Sequence, residues 1–301
     1  MTKPSSTSSR SAAGPRRHEA WRYAFLLPAL GFYSVFVLWP LVQTVQISFY
    51  DWNGITVATP VGAANYADAI RDPQIRGALL HSIVFVFFYS VLPTVVGLVL
   101  AGIMSRIRIV GLAFFRAALF MPQVLSAVVV AVAWRWLYAD RGPVNEGLRA
   151  IGFDGVAWLG DFTFALPAVG LIGTWVMFGL CMVLFVAGVQ KIPAELFESA
   201  RMDGCGPVRE FFTVTLPGLR GEIMVALVFT MTIALRNFDI VWNTTRGGPG
   251  ESTTVPSVYI YEGAFISREM GQSAAISVLL TIVILAMTAG IIGLFREREP
   301  A

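Results

Sequence analysis

Apolar residues fall along this chain in long blocks separated by short polar stretches. The blocks run from Tyr23 to Tyr50, Leu79 to Met104, about Ala117 to Tyr138, Phe164 to Val189, from near Ile223 onward, and from Ser273 to Phe295. A run of about 20 apolar residues crosses the hydrocarbon core as a helix whose backbone groups are all bonded internally. The pattern therefore predicts six membrane helices and an all-α membrane protein. The fourth and sixth blocks carry no charge, the third holds Arg135 near its end, and the fifth meets Arg236 and Asp239, which makes it the least regular.

Six crossings put both termini on one side of the membrane. Cytoplasmic loops carry an excess of Lys and Arg. One side of this chain collects Lys3, Arg10, Arg16, Arg17, Arg22, Arg106, Arg108, Arg116, Lys191, Arg201, Arg209, Arg220, Arg296 and Arg298. The other has Arg71, Arg76, Arg141, Arg149, Arg246 and Arg268, mixed with acids such as Asp68, Asp72, Asp140, Asp154 and Glu262. Both termini and the polar stretch at about 191–220 are thus expected in the cytoplasm. Residues 1–21, rich in Ser, Pro and Ala, read as a disordered tail rather than a cleaved signal, because the apolar block after them is too long and lacks a cleavage pattern. Residues 22–296 read as one membrane domain, and 297–301 as a second cytoplasmic tail.

Composition supports the membrane reading and narrows the chemistry. Hydrophobic residues make up 56% and charged residues 14% of 301 positions, against roughly 25% charged in soluble domains. The net charge of +3 is spread over loops, with no basic run longer than Arg16-Arg17, so nucleic acid is not an expected partner. His18 and His81 stand apart, and Cys181 and Cys205 form no C-x-x-C pair, which leaves no candidate metal site and no catalytic cluster. Neither Lys3 nor Lys191 sits in a P-loop, so no nucleotide cofactor is expected in this chain. "RGGPGEST", Arg246 to Thr253, reads as a turn rather than a phosphate cradle because of Pro249. "NTT" at Asn243 fits a glycosylation acceptor weakly.

The stretch "ELFESARMDGCGPVREFFTVTLPGL", Glu195 to Leu219, is polar where its surroundings are not. Pro193 suits a first helical turn, Ala194 to Met202 are good helix formers, and Gly204 and Gly206 permit a helix stop. Pro207 can open a second helix, which Leu216-Pro217 is expected to end. A short helix with acidic and apolar exposed residues suits entry into a partner's groove; an ordinary solvated loop is the alternative.

Glu198-Ser199-Ala200, three residues, Gly204, nine residues, then Val214-Thr215-Leu216-Pro217 resembles the E-A-A-x3-G-x9-I-x-L-P signature of ABC importer permeases, departing only at Ser199 and Val214. The likeness covers nearly the whole chain and is closest to the carbohydrate importers of the maltose-type permease group. It includes "LLPALGFYSVFVLWPLVQTVQISFYDWNG" from Leu26, "GAANY" from Gly62, "FFRAALFMPQVLSAVVVAVAWRWLY" from Phe114 and "GPVNEGL" from Gly142. "VLFVAGVQKIPAELFESARMDG" from Val183 and "NFDIVWNTTRGGPGESTTVPSVYIYEGAF" from Asn237 also belong to it. The resemblance implies the type I ABC importer permease fold in a bacterial inner membrane. It also implies partnership with a second homologous permease, two ABC ATPase subunits that bind ATP and Mg, and an extracytoplasmic solute-binding protein. Glu198, Ser199, Ala200, Asp203, Gly204, Leu216 and Pro217 would couple to the ATPase.

Polar or aromatic groups within membrane helices usually face cavities or partners. Gly173, Trp175 and Met177 in the fourth block, and Thr230 and Asn237 with Asp239 in the fifth, are the candidate substrate path, with Thr230, Ala234 and Asn237 expected on one helical stripe. Arg236 and Asp239, three apart, are expected to neutralise each other near the outer boundary, a gate or substrate contact being the alternative. Arg135 between Trp134 and Trp136 reads as an interface anchor. "VPSVYIYEGAF" is too short to span and is expected to fold back along the outer face. With few cationic groups in reach of a cavity, a neutral oligosaccharide is the expected cargo, with glycerol phosphate as an alternative. An ion-coupled secondary transporter would need a midplane coupling residue and an internal repeat, and a membrane enzyme a catalytic cluster; the chain offers neither.

Overall fold

The computed structural model describes residues 25–104 and 111–295. The two expected tails, and the basic residues Arg106, Arg108, Arg296 and Arg298, lie outside the described residues. The chain divides into two units, Met1–Gln46 and Ile47–Ala301. In the first, helix α1 (Leu27–Ile47) is long and apolar enough to cross a membrane.

The second unit opens with a two-residue hairpin, β1 (Tyr50–Asp51) against β2 (Thr59–Pro60), antiparallel with Tyr50 opposite Pro60. Asn53 folds its side chain onto the N–H groups of Ile55 and Thr56, closing the turn. There follow α2 (Ala64–Arg71), α3 (Pro73–Met104), α4 (Leu112–Val124), α5 (Ala127–Leu137), α6 (Pro143–Ala150), α7 (Ala165–Val189) and α8 (Ala194–Met202). Next come α9 (Pro207–Gly218), α10 (Arg220–Leu235), α11 (Asp239–Thr244), α12 (Pro256–Tyr261) and α13 (Met270–Phe295). Spans α1, α3, α7 and α13 are single helices, whereas α4–α5 and α9–α10 are bent pairs at 98° and 70°, giving six spans when each pair counts as one.

Four of these helices widen into a π turn: one, Glu262–Ser267 at the end of α12, has no proline behind it, and the other three run over Ser34–Leu38, Phe87–Val91 and Phe211–Thr215. Each of these three lies just ahead of a proline: Pro40, Pro93 and Pro217. A helical proline clashes with the carbonyl four residues back and leaves it without a donor. Those carbonyls belong to Phe36, Tyr89 and Thr213, each in the middle of a π turn, so the wider turn relieves the clash while the helix continues. The second insert helix ends at Gly218, next to the expected Leu216-Pro217 stop, and Leu216 N–H reaches back to Phe211 O. The α4–α5 span, read from the sequence as one apolar block, breaks where Leu125 and Ser126 adopt extended backbone just after the helix-interior Pro122.

Within the second unit α7 is the central pole, flanked by α3, α4 and α10. A Cβ at Gly97 on α3 would lie 2.7 Å from Cys181 Cβ, so the two backbones approach as closely as a glycine allows. Hydrocarbon gives helices no hydrophobic reason to associate, which leaves close backbone packing as a main source of cohesion. Two apolar clusters result. One, at the α5–α6 end, includes Phe85, Tyr89, Val130, Ile172 and Val241; the other, toward α8, includes Ala101, Met182, Phe185, Leu219 and Ala226. Segment α12 folds back as expected, with Tyr259 and Ile260 packed on Ala69, Ile75 and Ile276.

Candidate functional site

The helical stretch through α10 stops at Leu235. Arg236 (φ −96°, ψ 10°), Asn237 and Phe238 interrupt it, and α11 starts at Asp239. This break faces the α4–α5 break across Met177 of α7. Between them lies a cavity of about 320 Å³, whose polar lining comes from Gln123, Thr232, Arg236, Asn237 and Asp239. Non-helical backbone at membrane depth is tolerated where it lines such a cavity. Gln123 Oε1 is buried without a hydrogen-bond partner among the described residues, an acceptor whose desolvation a ligand hydroxyl would offset.

Asn237 is held from behind. Its Nδ2 donates to Tyr89 Oη at 3.0 Å, and Tyr89, 2% exposed, lies with its ring where a Gly173 side chain would be. The Tyr89 ring is thus fixed by packing and orients the amide at the cavity wall.

Of the six substrate-path candidates, the cavity gathers Met177, Asn237 and Asp239 and leaves out Gly173, Trp175 and Thr230. Gly173 is a packing contact for Tyr89. Trp175 stands edge-on to Trp134, centroids 5.6 Å apart, within the apolar layer. Thr230 is fully buried between helices, donating to Ala226 O at 2.7 Å and lying 2.7 Å from Ser90 Oγ of α3. Thr230, Ala234 and Asn237 are all buried, and Thr230 and Asn237 both meet α3, through Ser90 and Tyr89; of the three, only Asn237 also lines the cavity. The helix break separates Arg236 from Asp239: among the described residues they form no ion pair, and both are exposed on the cavity wall. Gln123 and Thr232 were not expected in the path, and Arg236 stands on the cavity wall, where the alternative reading of it as a gate or substrate contact would place it. Pro122 beside Gln123 was the available signal, since a proline inside an apolar block marks a possible break.

At the opposite end of α7 the insert forms the anticipated helix–turn–helix, with Pro193 one position outside α8 as its N-cap. Gly204 takes φ +74°. Cys205 N–H donates to Ala200 O and Gly204 N–H to Arg201 O, both at 3.0 Å, which is the Schellman stop that a left-handed glycine permits. Arg201 Nε donates to Glu210 Oε2 at 3.0 Å, and that carboxylate is 4% exposed, so an ion pair ties α8 to α9. Glu198, Ser199, Asp203, Gly204 and Pro217 are exposed and Leu216 is half-buried, but Ala200 is 8% exposed and faces inward. Ala200 therefore belongs to the packing of the insert, whose exposed apolar side chains are Leu196, Val208, Phe212 and, most of all, Met202, 88% exposed.

Among the described residues no group of His, Cys, Asp or Glu is arranged to hold a metal. His81 Nδ1 lies 2.9 Å from Thr254 O and ties the loop between α11 and α12 to α3. "RGGPGEST" is a closed turn, with Thr253 N–H donating to Gly247 O and the Thr245 and Thr253 hydroxyls 2.7 Å apart.

A helical membrane subunit with a polar cavity at facing helix breaks and an exposed helix–turn–helix at one end has the build of a transporter component. Residues 84–298 match the family model described as the binding-protein-dependent transport system inner membrane component, and the chain belongs to that family. It is 34% identical over 271 residues to the probable ABC transporter permease protein YurN of Bacillus subtilis, covering 88% of this chain and 92% of that one. It is 31% identical to the multiple sugar-binding transport system permease protein MsmF of Streptococcus mutans, covering 88% and 91%. A permease chain in the crystal structure of a bacterial ABC transporter that imports the acidic polysaccharide alginate shares the fold, with TM-score 0.81, 20% identity and coverage of 94% and 98%. The fold is that of the ABC importer permeases.

Proposed function

We propose that this chain is the membrane-conducting subunit of a sugar importer, driven by ATP hydrolysed on separate subunits. Relatives named for multiple sugars, for diacetylchitobiose and for starch degradation products favour a saccharide cargo over glycerol phosphate. The observation that carries the reading is the insert: a helix stopped at Gly204, braced by Arg201–Glu210, with Glu198, Ser199, Met202 and Asp203 exposed, at the far end of α7 from the polar cavity.

In this reading two ATPase subunits grip this chain and a homologous permease by such levers, and an extracytoplasmic solute-binding protein delivers the cargo. Both termini lie in the cytoplasm of a bacterial inner membrane. ATP and its Mg ion belong to the ATPase partners. ATP shifts the permease pair between inward- and outward-facing states only as far as it binds one state better. A rigid lever is needed because a frayed helix would absorb the displacement.

Met202→Asp tests this without touching the packed side of α8. Insertion and pairing with the second permease should persist, while sugar uptake and sugar-stimulated ATPase activity fall at least tenfold. Wild-type uptake by the variant, or uptake by this chain with no ATPase subunit present, would overturn the reading.

A further inference from the structure

A second cavity lies along the same seam as the first. Helices α5 and α11 pack with their N-terminal ends at the Arg236–Asp239 cavity, where Ala127, Val130, Asp239 and Ile240 meet. Their C-terminal ends enclose another cavity of about 280 Å³, lined by Arg135, Trp242, Asn243, Thr244, Thr245 and Arg246. From Val130 to Arg135 the seam climbs about 7–8 Å at the helical rise, away from the insert. The volume is near the lower bound of roughly 300 Å³ for small-molecule sites.

Its charge is one-sided. Both arginines are exposed, no carboxylate lines the cavity, and among the described residues neither makes an ion pair. Asp140, three residues past the end of α5, is engaged by Arg149 at 2.7 Å. Neutral donors in the lining are committed to the fold: Asn243 Nδ2 donates to Asp239 O and Thr244 Oγ1 to Ile240 O. Arg246 holds a left-handed φ of 51°, disfavoured for a residue with a side chain. Its guanidinium sits 5.7 Å from the Trp242 ring centre, which fixes its position beside the cavity. Two guanidinium groups turned to one concave space, without a counter-charge, fit carboxylate, sulfonate or phosphate oxygens, which they can bind in a bidentate fork.

We propose that this outer cavity recognises an acidic group on the cargo sugar, gripped by Arg135 and Arg246 before the sugar passes down the α5–α11 seam to the Asn237 cavity. The inference rests on the saccharide reading above and refines it, replacing the neutral cargo expected from the sequence. The inner cavity wall carries the Asp239 carboxylate as well as Arg236, although the two form no ion pair among the described residues, whereas no carboxylate lines the outer cavity, so acid selection belongs to the outer one.

The complete transporter isolated from its own membranes into lipid nanodiscs provides the test, with 4-linked digalacturonic acid and the neutral galactobiose of the same linkage as probes. Binding is read by calorimetry, and the acidic disaccharide should bind at least tenfold more tightly. Arg135→Gln with Arg246→Gln should bring it to the level of the neutral one and leave the neutral one unchanged, while the double Lys variant retains most of the difference. Equal binding of the two probes, or binding of neither, overturns the inference, as does an unaltered preference in the double Gln variant. Loss of both sugars together would reveal a structural role, and weakened retention of the solute-binding protein alone would assign the arginines to that partner; each outcome also overturns it. None of these results depends on the Met202→Asp experiment, so failure here leaves the permease reading standing.

Discussion

Tyr89 and Gly173 occupy space that one of them must yield to the other, and the outcome reaches the cavity through a single hydrogen bond. Because Tyr89 Oη accepts from Asn237, which is 6% exposed, Tyr89→Phe leaves a buried amide donor unmatched, at a cost of about 1–3 kcal/mol. Thermal melting in detergent should fall accordingly, and the apparent KM for uptake should rise more than the maximal rate changes, since the amide loses its orientation rather than its chemistry. Gly173→Ala should do the same by displacing the ring. Composition made Asn237 a candidate because an amide in an apolar block is conspicuous. Gly173 and Thr230 drew the same attention for the wrong reason: small or polar residues in membrane helices serve packing as often as passage, and only their neighbours tell the two uses apart.

At the scale of the element, the informative events are interruptions. Proline marks three π turns and the α4–α5 break, and the chemistry of a missing N–H was available in the sequence. Which prolines bend a span and which are absorbed was not, because absorption depends on whether the preceding turn can widen within its packing. The insert was legible through Gly204 and Pro207, whose conformational demands are local. Its bracing was hidden, since Arg201 and Glu210 are nine residues apart across a turn. Arg201→Ala should free the insert by leaving the Glu210 carboxylate buried with fewer partners, at about 1–3 kcal/mol. The measurement is the rate at which Cys205 reacts with maleimide, expected to rise several-fold and to return toward wild type when Glu210→Gln is added, a double-mutant cycle that isolates the pair.

For the whole molecule, the native cysteines report the arrangement. Cys205 lies half-exposed in the insert, and Cys181 is buried within α7. A membrane-impermeant maleimide should leave intact cells unlabelled and, once the inner membrane is opened, label Cys205 but not Cys181. Labelling of Cys205 from outside would reverse the orientation taken from the basic residues.

The amino-acid sequence determined by itself that the chain is a helical membrane protein with six apolar blocks, and that a glycine-stopped helix stands between two of them. These follow from hydrophobic block length and local backbone chemistry, which act over a few residues and need no knowledge of neighbours. The tertiary structure alone decided which polar groups meet. Helix breaks at Leu125 and Arg236, far apart in the chain, face each other, and that encounter separates cavity-lining Asn237 from buried Thr230 and leaves Arg236 apart from Asp239. A cavity is made of surfaces brought together across long sequence separations, and periodicity along one helix carries no information about what stands opposite it.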